Sequence, residues 1–317
     1  MSAAPAVTAG TAPPPVAAAG RSPSRLVWDR LRRDRAAVTG MVIVAVFVLV
    51  ALAAPLLTAV SGWTPYEFDA DAIDPNLAGM PRGALGGIGA EHWLGVEPIS
   101  GRDIFARIVY GARVSLLIAV LATLVAVVLG TALGLLAGYV GGWVDAAVSR
   151  VMDLLMSFPA LIFMIALISV MPDGDRVLLL VLIMGGFCWP YVGRIVRGQT
   201  ITVKHREYVD AARVGGAMGG TILIKEILPN ITAPILVYAT LSIPANIGTE
   251  AALSFLGVGV PPPTASWGQM IQQAILYYEV DPMYFLIPGG CLFLTVLAFT
   301  LIGDALRDAT DPKAAKR

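Results

Sequence analysis

Charge, cysteine and histidine are all scarce in this chain: of 317 residues, 14% are charged, two are cysteine and two are histidine. Cys188 and Cys291 are far apart and each lies in an apolar run, which argues against a disulfide framework or thiolate metal site and marks both as packing residues. Neither His92 nor His205 belongs to an HExxH, so a zinc protease of that type is excluded. No Gly-Lys pair occurs, and without one there is no P-loop to hold nucleotide. A G-x-S-x-G elbow is also missing, and Gly303-Asp304 lacks the second glycine of an intramembrane aspartyl protease. The formal net charge is zero, so nothing global draws the chain to nucleic acid.

What the chain has instead is apolar length. Hydrophobic residues make up 57% of it, far above an ordinary soluble domain. Crossing about 30 Å of hydrocarbon at 1.5 Å per residue takes about 20 apolar residues. Six stretches meet that demand, at 36–60, 114–139, 154–171, 177–195, 231–255 and 283–302, which predicts an all-α integral membrane protein with six transmembrane helices. Ala51-Leu52-Ala53 looks like a signal-peptidase site, but the preceding apolar run is too long for a signal peptide and reads as an anchor. Ahead of it, residues 1–24 are rich in Ala, Pro and Thr and predict a disordered tail. Residues 25–35 form a basic segment, read as an interfacial helix with Leu26, Trp28 and Leu31 toward the lipid boundary.

Positive charge orients the spans. With six of them both termini share one side, and of the 22 Lys and Arg only Arg82, Arg102, Arg107, Arg113 and Arg176 fall on the other. Cytoplasmic loops accumulate Lys and Arg, so the prediction is N-in, C-in at the plasma (inner) membrane, with 305–317 as a cytoplasmic tail. The outer segment 61–113 holds a glycine-rich stretch at 83–90, read as a flexible loop because its glycine spacing fits no phosphate loop. It ends in apolar residues Ile104, Phe105, Ile108 and Val109 at helical spacing, which predict a surface amphipathic helix. A five-helix core follows at 114–304. In it Pro159 and Pro190 are read as kinks, and the triple proline of VGVPPPTASWGQM as a stiff outer loop.

Between the fourth and fifth spans lies a charged, glycine-punctuated hairpin, REYVDAARVGGAMGGTILIKEILPN, within a loop at 199–229. Helix formers from His205 to Arg213 put Tyr208, Ala211 and Ala212 on one side, with Glu207 and Asp210 among the charged residues around it. Gly215 and Gly216 are expected to end that helix with positive φ, and a second short helix is expected to stop at Pro229. The chain has no engine of its own and no mid-membrane coupling-ion residue outside the fifth span, where Asn246 and Glu250 sit. For Glu250 two readings stand: sensing the amino terminus of a peptide, or pairing with Arg102, Arg107 or Arg113.

Asp210-Ala211-Ala212, Gly216 and Leu228-Pro229 resemble the EAA loop of ABC-importer permeases, with aspartate in place of the glutamate and Glu226 where the pattern has isoleucine. HWLGVEPISGRDIFARIVYGARVSLLI, YVGRIVRGQTITVKHREYVDAARVGGA, EAALSFLGVGVPPPTASWGQM and GDALRDATDP extend the likeness from His92 to Pro312. They resemble the C-type permease subunit of dipeptide, oligopeptide and nickel importers. The resemblance implies a type I ABC-importer permease fold and a non-catalytic subunit that forms half of a heterodimeric pore with a second, homologous permease. It implies two partner ATPases that bind the ATP and Mg²⁺, an extracytoplasmic substrate-binding protein, no cofactor on this chain and no nucleic-acid partner. In that picture Glu207 and Asp210 orient the coupling loop, Ala211 and Ala212 fit the ATPase cleft, and Gly215, Gly216, Leu228 and Pro229 shape the turn and second helix. Peptides are the expected cargo, with nickel chelates or another small solute as the alternative within the family. A stand-alone secondary transporter is the alternative from another class.

Overall fold

The computed structural model describes residues 23–171 and 174–310. The predicted tail at 1–24 lies outside these up to residue 22, as does the end of the predicted C-terminal tail from residue 311. Most of what is described is helical. Helix α1 (Pro23–Leu31) precedes α2 (Arg35–Leu52) and α3 (Ala54–Ser61). Then comes an irregular segment with a two-residue pair of strands, β1 (Ile73–Asp74) and β2 (Met80–Pro81), antiparallel with Ile73 opposite Pro81. The long helices follow: α4 (Ile104–Val140), α5 (Gly142–Ser157), α6 (Ala160–Val170) and α7 (Arg176–Val203). The hairpin contributes α8 (Glu207–Val214) and a three-residue α9 (Gly219–Thr221), which runs through a π-helical stretch Ile222–Ile227 into α10 (Leu228–Phe255). Helices α11 (Trp267–Ala274) and α12 (Pro282–Thr310) complete it.

By length and composition α2, α4, α7, the α9–α10 unit and α12 can each cross a bilayer, and the bent α5–α6 pair supplies a sixth candidate. The bend of 89° corrects the third predicted span. Pro159 disfavours helical geometry at the residue before it, and Phe158 is extended (φ −89°, ψ 144°), so the helix stops and restarts. Helix α6 then has 11 residues, about 16 Å at the helical rise and about half of a hydrocarbon core. Pro190, by contrast, does not end α7.

The expected surface helix at Ile104–Val109 is instead the start of α4. Asp103 caps it through its side chain, accepting from the Ala106 N–H at 2.6 Å. No breaker separates these turns from the span. Ile104, Ile108, Ala112, Leu116 and Ala119 recur every three or four residues and pack with Trp267, Ile247 and Tyr284 in one core cluster. The glycine-rich stretch 83–90 is tied down as well. Gly86 O accepts from Val96 N–H at 2.9 Å, and a Cβ on Gly95 would sit 2.2 Å from that carbonyl. At the chain start Leu31 is buried against Ala37 and Ala305, not turned to lipid, while Trp28 remains exposed under the Arg32 guanidinium.

The tightest seam joins α4 to α7. Gly130, Gly134 and Gly138, four residues apart, share one face of α4 and let its backbone approach Val192, Gly193, Val196 and Thr200. A Cβ on Gly134 would lie 2.6 Å from Gly193 O. Close backbone approach of this kind replaces the hydrophobic drive that lipid removes.

Candidate coupling hairpin and intramembrane polar cluster

The hairpin is built outward from one buried residue. Val209 is fully buried in a cluster with Leu135, Val192, Val196, Ile222, Ile227 and Ile231, so α8 packs on the π-helical stretch Ile222–Ile227 within a core that also takes in residues of α4, α7 and α10. Lys204 adds a bond from Nζ to Gly138 O at 2.8 Å. Glu207 and Asp210 sit exposed in the first turn of α8, where their charge suits the positive end of the helix dipole. The 2.9 Å pair of Asp210 with Arg213 is exposed and contributes little. Ala211 faces out, but Ala212 turns partly inward with Val209, so the two alanines do not present one common surface.

Helix α8 ends in a Schellman arrangement: the Ala217 N–H bonds Ala212 O at 3.0 Å, and the Gly216 N–H bonds Arg213 O at 3.0 Å. Only Gly216 has positive φ (+83°); Gly215 caps the helix at φ −71°, so the pair expected at positive φ reduces to one. The second predicted helix does not stop at Pro229 either. The Leu228 N–H reaches back to Leu223 O across a π turn, and Pro229 is the second residue of α10, directly after that turn, so the helix continues through it. The wide turn carries Ile227, one residue beyond the pattern position held by Glu226, into the buried cluster. Val214 (91% exposed) and Met218 (80%) then project outward at the far end of α8, while a recess of about 700 Å³ opens at its start, lined by His205, Arg206, Glu207, Tyr208 and Asn230.

Within the spans, Asn246 and Glu250 occupy successive turns of α10 and both are buried, Glu250 fully. Asn246 donates from Nδ2 to Thr123 Oγ1 at 2.8 Å, and the Cys188 thiol faces its Oδ1 at 3.6 Å. Glu250 accepts from Ser254 Oγ at 2.8 Å and from Ser115 Oγ at 3.2 Å; Ser115 Oγ in turn accepts the Trp267 N–H at 3.2 Å. The cluster joins α4, α10 and α11. The expected arginine pairing is therefore corrected: Arg102 and Arg107 both bind Glu97, and Arg113 is exposed. Ser254 from the next turn of α10 and Ser115 from α4 reach the carboxylate, whereas Arg102 and Arg107 lie just before and at the start of α4, near an acid supplied by the segment before it.

A family model described as the binding-protein-dependent transport system inner membrane component matches residues 130–316. The chain belongs to that family of transport permeases. A second model, the N-terminal transmembrane domain of oligopeptide transport permease C, matches residues 22–79 of this permease. The dipeptide transport system permease protein of Alkalihalophilus pseudofirmus is 38% identical over 92% of this chain and 90% of its own length. The glutathione transport system permease protein of Salmonella typhimurium is 39% identical over 92% and 91%, and its oligopeptide transport system permease protein is 40% identical over 91% and 92%. The permease is thus a non-catalytic, multi-pass inner-membrane subunit of an ABC transport system.

At the end of the permease opposite the hairpin lies a cluster that sequence reasoning missed. Glu97 binds Arg102 Nε at 2.7 Å and Arg107 Nε at 2.5 Å, and Arg107 is fully buried. His92 holds Asp103 at 2.9 Å and Asp69 at 3.1 Å, one from each ring nitrogen. Burial raises the Asp69 carboxyl, but the His92 bond and the N–H groups of Asp71 and Ala72 outweigh it and leave the pKa lowered. Asp281, just before α12, goes the other way: burial raises it, against weaker bonds from the backbone of Tyr284 and Met283. The one usable sequence signal was the mixing of Glu97, Arg102, Asp103 and Arg107 among apolar residues, which requires the charges to find each other once buried.

Proposed function

We propose that this permease forms half of the pore of an ATP-driven importer of short peptides, with both termini and the hairpin in the cytoplasm. Two ATPase subunits, which bind the ATP and Mg²⁺, grip the hairpin of this chain and that of a second, homologous permease; a binding protein delivers cargo on the opposite face. This chain binds no cofactor. The observation that carries the reading is the hairpin itself: two almost fully exposed apolar side chains, Val214 and Met218, on a support fixed by buried Val209. A rigid handle transmits displacement, and apolar anchors at its surface suit a protein partner. Peptide cargo is supported by the dipeptide, glutathione and oligopeptide names of the relatives. Glu207 and Asp210 shape the electrostatics of the gripped turn, Ala211 lies against the ATPase, and Gly216 holds the reversal at a φ proline cannot reach.

The test is Gly216→Pro in the reconstituted complex. Membrane insertion is expected to persist while peptide uptake falls away from ATP hydrolysis. Normal uptake per ATP by that variant would refute the coupling role. Uptake by the isolated chain under an ion gradient, without ATPases, would instead identify a secondary carrier.

A further inference from the structure

The charge around Glu97 does not balance. Two guanidiniums share one carboxylate, which leaves an excess positive charge in a buried site. Arg107 disperses its share among neutral acceptors: Gln269 Oε1 at 2.7 Å and the carbonyls of Pro65 and Pro263, each at 3.3 Å. Arg102 does not. Beyond its Nε bond to Glu97 it has one long contact, from Nη2 to Gln273 Oε1 at 3.4 Å, and that oxygen also accepts from Tyr284 OH at 3.3 Å. Its Nη1 forms no hydrogen bond among the described residues, and the Phe68 ring lies 5.7 Å from the guanidinium. Arg102 is only 7% exposed, and what shows of it lines a cavity of about 290 Å³ with Glu97, Gln273 and Tyr284. The rim of that cavity is apolar and open: Leu276 is 79% exposed and Ile99 62%.

We propose that this cavity is a socket for an acidic side chain of the substrate-binding protein. The assignment rests on the reading above, in which the face opposite the hairpin receives that protein. A carboxylate entering beside Arg102 neutralises the excess charge and satisfies the free side of the guanidinium in a shielded site, where charge-assisted bonds are strongest. The exposed Leu276 and Ile99 close over it and exclude water, as apolar rims do around a central anchor. Docking at this socket presses on α11 through Gln273 and on the start of α4 through Arg102, and both helices carry partners of the Glu250 cluster, Trp267 and Ser115.

The experiment measures affinity of the system's own binding protein for the complete permease–ATPase complex in nanodiscs, with assembly of each variant checked by co-elution. Arg102→Gln is expected to weaken docking about 10-fold or more, in line with removal of one partner of a desolvated charge pair. Because Arg102 also holds Glu97, a second variant is made at the exposed rim. Leu276→Glu repels the incoming carboxylate and weakens docking, whereas Leu276→Lys retains it. Equal affinity of Leu276→Glu, Leu276→Lys and the parent overturns the socket while leaving the importer reading intact. Failure of the parent complex to bind the protein at all overturns both. If Arg102→Gln weakens docking only when the binding protein carries a peptide with a free carboxyl terminus, and not one amidated there, the carboxylate belongs to the cargo and the proposal fails.

Discussion

Adding a single methyl group at Gly134 tests whether the α4–α7 seam holds the permease together. The new Cβ would meet Gly193 O at 2.6 Å, Val196 Cβ at 2.9 Å and Arg197 N at 3.1 Å, and two of these three are backbone atoms that cannot rotate away. Relief requires the helices to separate, and separation also loosens Gly130 against Val192 and Gly138 against Thr200, since all three glycines lie on one face. Overpacking a close contact costs about 1–3 kcal/mol. Replacing glycine by alanine in a helix returns up to about 1 kcal/mol through backbone entropy, which would blur the result. Gly198, in α7, supplies the control: apart from the helix's own local backbone, no atom lies within 4 Å of the place its methyl group would take, so Gly198→Ala gains the entropy without the clash. The difference between Gly134→Ala and Gly198→Ala cancels the shared entropy and isolates the packing cost, about 1–3 kcal/mol. Thermal unfolding of the two purified variants in one detergent measures it. Equal melting temperatures would refute the claim that backbone contact along this seam carries stability.

Three further outcomes follow from the described contacts. Asp281→Asn should raise the melting temperature at pH 7: the folded carboxyl has a raised pKa, so its ionised form is a burden above that pKa, relieved as pH falls below the unfolded value. The gap between variant and parent should therefore close on acidification; a gap that widens would reverse the assigned sign. Val209→Ala, which removes most of the side chain holding α8 down, should cost about 1–3 kcal/mol of local stability and speed proteolysis within 204–221, read by mass spectrometry of a brief digest. Glu250→Leu orphans the hydroxyls of Ser254 and Ser115 and should cost about 1–3 kcal/mol in thermal unfolding, whereas Glu250→Gln keeps a hydrogen-bonding group there and should cost less. Equal stability of the two variants would show that the serine bonds carry no weight.

Positions of the spans were legible because apolar runs of bilayer length have no other use in water, and the hairpin because charge and glycine break such runs abruptly. The ends were less so. Helix α4 begins ten residues before the predicted 114 and α12 runs past the predicted 302, since hydropathy marks where lipid ends and not where backbone hydrogen bonding ends. Pro159 and Pro190 look alike in sequence, yet the chain turns through 89° at one while the other lies inside α7, where packed neighbours hold the helix through it. In the hairpin, Glu207, Asp210 and Gly216 stood out by type, but the inward role of Val209 and the outward one of Val214 depended on which face of α8 was buried, and that of Met218 on the path of the turn after it.

The amino-acid order alone pointed to a bilayer chain without a P-loop and to a charged, glycine-broken hairpin between its long apolar runs, because composition and local spacing suffice for each. Tertiary structure decided the pairings. Glu250 met serines and not arginines, Glu97 gathered two guanidiniums from the next segment and helix, and Arg102 was left partly unsatisfied beside a cavity. Such choices depend on distances between segments remote in the chain, and a buried charge takes whichever partner the packing brings within reach.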